Sequence, residues 1–134
     1  MSNLDADATR LLVVPGLHDS EPDHWQSWLQ ARHPGALRVQ QRDWTQPDLD
    51  RWAARIGSTL AHAGPGRWLA VAHSFGALAL AHHLATTPDS PIAAALLVAP
   101  ANPDRFGLGE LLPHAWLHRS GCGAGSRPAS PGRR

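Results

Sequence analysis

Three short apolar runs constrain this chain more than any other feature. RLLVVPG (10–16), RWLAVAH (67–73) and IAAALLVAP (92–100) are apolar at nearly consecutive positions, without the alternation of a half-buried strand. Such runs read as strands buried on both faces, which belong in parallel sheets covered by helices. ALRVQ (36–40) reads as a further short strand. Helical patterns fill the intervals, so the element order is β-α-β-α-β-α-β. That order predicts an α/β fold, a parallel sheet in a three-layer sandwich.

The helix signals are local. Ser20 can cap a helix, Asp23 three residues on can close a capping box, and Pro22 is tolerated in a first turn. Trp25, Trp28 and Leu29 then fall at i, i+3 and i+4, and HPG ends the helix near Gly35. TQPD (45–48) repeats the start signal. Leu49, Trp52, Ile56 and Leu60 make the stripe that follows, and Gly64-Pro65-Gly66 breaks it. FGALALAHHLA is an Ala-rich helix stopped by TPDSP.

Composition removes several classes of function. At 134 residues the chain suits one domain. A formal charge of +1 gives no field to gather nucleic acid or hold a membrane surface. MSNLDADATR has no apolar segment of a signal peptide, and AAALLVA falls well short of the roughly 20 residues that span a bilayer. The single cysteine, Cys122, cannot staple the fold, and a reducing cytoplasm is the simplest compartment. Residues 1–9 and 119–134 carry no hydrophobic period and read as disordered, leaving 10–118 as the domain. PGLHDS does not match G-x-G-x-x-G, so neither a dinucleotide nor another cofactor is expected. His114 and His118 are four apart but find no third ligand, so no metal site is expected.

Ala72-His73-Ser74-Phe75-Gly76 is A-x-S-x-G, a variant of the nucleophile elbow, placed where a buried strand gives way to a small-residue helix. In that turn the serine adopts a strained conformation and its hydroxyl stands clear of the sheet. Ala72 and Gly76 supply the small flanks the turn requires. The Phe75 amide, at the helix N-terminus, points where an oxyanion would develop. The second donor is expected from the loop after the first strand, at the Leu17 or His18 amide. His18 and His73 are candidate substrate contacts.

VVPGLHDSEPDHWQSWLQ, QRDWTQPDLDRWAARI, AVAHSFGALALAHHL and AALLVAPANPDRF together resemble the YdeN-like small serine hydrolases, the α/β-hydrolase family that includes retinoblastoma-binding protein nine. The resemblance runs from about Arg10 to about Phe106. It implies an α/β-hydrolase fold and a Ser-Asp-His triad acting on a small-molecule ester or amide. By matching motif it makes Ser74 the nucleophile and the Leu17 and Phe75 amides the oxyanion hole. His24, Trp25, Asp43 and Trp44 match signature positions that look structural or pocket-lining.

In this fold the triad acid and histidine follow the serine in chain order. Two more strand-helix units need roughly 60 residues; 34 follow Pro100, and about half of those are tail-like. Asp104 and Glu110 read as surface charges. His73 is a poor candidate base because neighbours on an elbow point apart, and His82 and His83 read as partly exposed packing residues. The triad acid and histidine are therefore not found, and the C-terminal strands look missing. The Arg-, Gly- and Pro-rich ending fits a frame-shifted or truncated hydrolase of impaired activity. The alternative is a non-catalytic domain binding a protein partner, or itself, through an exposed sheet edge.

Overall fold

A computed structural model of the chain describes residues 8–108. The strands are β1 (Thr9–Val14), β2 (Leu37–Arg38), β3 (Arg67–His73) and β4 (Ile92–Val98); the helices are α1 (Trp25–Arg32), α2 (Leu49–Ala63) and α3 (Phe75–Thr86). A short 3-10 helix spans Pro103–Phe106. All pairings are parallel, in the order β2-β1-β3-β4.

The sheet divides the apolar residues between two layers. Leu12, Val14, Ala70 and Ala72 point to one side, against Trp52, Ile56 and Leu60 of α2 and Leu78 of α3. Leu11, Val13 and Val71 point to the other, under Trp25 and Leu29 of α1. Leu12, Val13 and Val14 have no exposed surface, so β1 is buried on both faces as its unbroken apolar run requires. The three-layer α/β sandwich is as expected.

Several local expectations are corrected. IAAALLVAP forms β4, but Ala93, Ala94, Ala95 and Leu96 are exposed rather than buried. Among the described residues β4 is the last strand of the sheet, paired with β3. Helix α1 begins at Trp25, not after a Ser20 cap. Its N-cap is His24, whose Nδ1 accepts from the Gln26 N–H at 3.2 Å. Ser20 is instead buried, its hydroxyl donating to Gln26 Oε1 at 2.6 Å. Trp28 does not join the core; it is 54% exposed and lies under the Arg32 guanidinium. The start signal at TQPD resolves to Asp48, whose carboxylate accepts from the Arg51 N–H at 3.0 Å, while Thr45 turns back to Asp43. The strand expected over ALRVQ narrows to Leu37–Arg38.

Thr9, expected in the disordered N-terminal segment, opens β1; residues 1–7, the expected disordered tail and the boundary at 118 lie outside the described residues, as do Glu110, His114, His118 and Cys122.

Candidate active site

The elbow is built by a close approach of two chain segments. A methyl on Gly76 would collide with the carbonyl oxygens of Val14 and Pro15, and one on Gly16 would lie 2.9 Å from Ser74 Cβ. Glycine at both positions lets the end of β1 pack against the start of α3. Ser74 itself has φ 55° and ψ −124°, a conformation an L-residue holds only when its surroundings enforce it. Those surroundings are hydrogen bonds on both sides. The Ser74 N–H donates to Val98 O at 3.2 Å, and its carbonyl accepts from Ala77 at 3.0 Å and Ala101 at 3.2 Å. The Ser74 hydroxyl makes no hydrogen bond to another described residue.

Around Ser74 opens a cleft of about 510 Å³, whose walls include Gly16, Leu17, His18, His24 and His73. His18 and Asp19 have φ of 66° and 65°, so the loop after β1 is tightly wound beside the serine. The His18 N–H donates to Trp44 O at 3.0 Å. Of the two loop amides that could face an oxyanion, the one at His18 is thus committed to protein, and Leu17 keeps its donor. The Phe75 N–H belongs to the first turn of α3, where backbone donors have no partner within the helix. The Phe75 ring is buried, edge-on to Trp52 at 5.0 Å and to Phe106 at 4.9 Å, which anchors the turn from below.

His73 ends β3 and lines the same cleft, its ring centroid 4.9 Å from that of His24. Burial, and secondarily the nearby His24, push its pKa below the usual histidine value. At neutral pH His73 is therefore uncharged and offers a polar but neutral wall. Asp19, Glu21 and Asp23 complete the lining. Asp19 is bound to Arg38 at 3.0 Å, and Arg38 also reaches Gln30, Ser27 and the Ser20 carbonyl, tying the cleft loop to α1 and β2.

Two residues important to the site's construction were not singled out from the sequence. Gln26 is fully buried. Its amide donates to Val14 O at 3.1 Å and Val71 O at 3.0 Å, bridging β1 and β3 near the cleft. Arg38 is the other. A polar residue inside an apolar stripe is the signal that could have found Gln26. His83 is buried, not partly exposed, and bonds Ser90 at 2.8 Å; His82 bonds Asp50 at 3.0 Å. Asp104 is exposed on the 3-10 helix, as expected of a surface charge. No group of three or more ligating side chains among the described residues could hold a metal. No described helix is long and apolar enough to cross a membrane.

A serine at a strained strand-to-helix turn, on a parallel sheet beside the loop after the first strand, places this protein among the α/β-hydrolases. Residues 11–115 match the family model for serine hydrolases. The chain belongs to that family, in agreement with the resemblance drawn from its motifs. It is also similar to a protein from Pectobacterium atrosepticum whose crystal structure was solved as that of a candidate YdeN-like hydrolase. The identity is 40% and the TM-score 0.72, over 78% of this chain and 56% of that one. The chain thus spans little more than half the length of that relative. No curated protein matches it.

Proposed function

We propose that the chain carries the nucleophilic half of a serine hydrolase acting on a small-molecule ester or amide, in the cytoplasm. Ser74 is the nucleophile, the Leu17 and Phe75 amides form the oxyanion hole, and His18 and His73 contact substrate. The observation that carries this reading is the Ser74 backbone: φ 55° at the strand-to-helix junction, packed against Gly16 and held by Val98 and Ala101. Strain of this kind persists where it serves a site. A cap alone would not need it, and the Ser74 side chain makes no cap bond.

No imidazole among the described residues is hydrogen-bonded to the Ser74 hydroxyl, and a serine without a base is a weak nucleophile at neutral pH. We therefore expect impaired activity from this chain. Loss of triad members leaves about 10³–10⁴-fold catalysis over water, from the oxyanion hole and binding. Labelling with a fluorophosphonate probe tests both parts. The expected result is slow labelling that Ser74→Ala abolishes. Labelling that persists in Ser74→Ala would remove the nucleophile assignment. Labelling at the rate of an intact hydrolase would remove the impairment.

The exposed apolar side chains of Ala93 to Leu96 on β4 favour a second reading, a domain that binds a protein partner or itself. It is compatible with an inherited but idle elbow.

A further inference from the structure

At the end of the sheet opposite Ser74 lies a second cleft, also of about 510 Å³, between the starts of β1 and β2 and the last turns of α2. Its walls include Arg10, Arg55, Ser58, Thr59 and His62, and no carboxylate. Arg10 and Arg55 are held in the same way. Each gives its Nε–H to a backbone carbonyl, Arg10 to Gly35 at 3.2 Å and Arg55 to Gln40 at 2.8 Å. Arg10 is pinned further by the face of Trp68, 4.4 Å from its guanidinium carbon. Neither takes part in an ion pair among the described residues. Arg38 also borders the cleft, but its guanidinium is consumed by Asp19, Ser20, Ser27 and Gln30.

We propose that this cleft binds the phosphate monoester group of a soluble ligand. A guanidinium anchored through Nε keeps both terminal amino groups free, and these donate in parallel to two oxygens of one anion. Two such anchored forks suit a doubly charged, multi-oxygen group; a single carboxylate would need only one. Because the forks are already held, binding freezes less side-chain motion than it would for free surface arginines. The Ser58 and Thr59 hydroxyls both donate to Arg55 O, at 3.1 and 2.7 Å, so they shape the wall and are not the anion's donors. The His62 Nδ1–H donates to Ser58 O at 2.8 Å, so the neutral ring keeps only an accepting Nε2 and His62, too, is wall rather than donor to the anion. The chain's net charge of +1 supplies no broad field, so a discrete soluble ligand fits better than an anionic surface. The site stands independently of the Ser74 assignment.

The test compares thermal unfolding of the full chain in inorganic phosphate and in sodium chloride at matched ionic strength. Phosphate should raise the melting temperature by several degrees beyond chloride, as a ligand of the folded state does. Arg55→Gln, a change at an exposed residue, should remove that excess, and so should Arg10→Gln. Arg105→Gln, distant on the 3-10 helix, should keep it. In arginine side-chain NMR spectra, phosphate should move the Nε–H signals of Arg10 and Arg55 and leave that of Arg105 in place. If Arg10→Gln loses the Trp68 stack and unfolds, Arg55→Gln decides alone. Equal melting temperatures in the two salts, an excess that survives Arg55→Gln, or an equal loss in Arg105→Gln would each overturn the site.

Discussion

Gln26 illustrates how one polar side chain can organise a cleft. Its amide satisfies two strand carbonyls, Val14 of β1 and Val71 of β3, and its oxygen receives the Ser20 hydroxyl, all in a buried setting. Removing a partner strands the others without water, at about 1–3 kcal/mol for each buried group left unpaired. Gln26→Leu should therefore lower the unfolding free energy by about 2–4 kcal/mol, read from urea denaturation. A loss below 1 kcal/mol would mean that water reaches those carbonyls. His73 and His83 act on stability through pH. Burial pushes both pKa values below the ordinary 6.5. Above that value both folded and unfolded states hold these rings neutral, and stability is flat. As pH falls below 6.5 the unfolded chain takes up protons that the folded chain refuses, so stability declines until the folded pKa values are passed. Urea titrations at stepped pH should show this decline, and His83→Gln should make it shallower. A midpoint that rises on acidification would contradict the assignment.

The elements differ in how far their residues announce them. Helix α2 was legible because its signals are local: Leu49, Trp52, Ile56 and Leu60 recur on one face and all are buried. Its exact start was not, because Thr45 and Asp48 both suit a cap, and only the fold commits Thr45 to Asp43. Asp48→Ala should cost about 1 kcal/mol, the usual worth of an N-cap, since the exposed Asp48–Arg51 pair adds little. Thr45→Ala should cost less. A larger loss at Thr45 would restore the earlier start. Helix α1 was harder to read because its decisive contacts are distant in sequence. Arg38 lies on β2 and holds Asp19, Ser27 and Gln30 together, and nothing in the spacing of those residues foretells that. The elbow was legible for the opposite reason. Gly16 and Gly76 are needed wherever β1 meets α3, and A-x-S-x-G records that close approach in five adjacent residues.

At the scale of the molecule the tension lies between β4's composition and its surroundings. IAAALLV has the unbroken apolar character of a central strand, yet among the described residues it is the last strand of the sheet. Pairing aligns Leu69 with Ala94 and Val71 with Leu96, so the α1 face of the sheet continues past α1 as an apolar surface. Leu69 is 38% and Leu96 47% exposed there. An exposed apolar surface of this kind favours contact with a like surface. The chain should accordingly self-associate through this apolar face, with Leu69 and Leu96 covered. Sedimentation velocity over a dilution series should show a sedimentation coefficient that rises with concentration. Leu96→Lys places a charge on the face that association would bury, and should shift the rise to higher concentration without lowering the melting temperature, because an exposed side chain costs the monomer little. A monomer at every concentration, or association unchanged in Leu96→Lys, would show that β4 does not carry it. Ser74→Ala should associate as the unaltered chain does, since Ser74 lies at the end of the sheet and not on the face that carries Leu69 and Leu96.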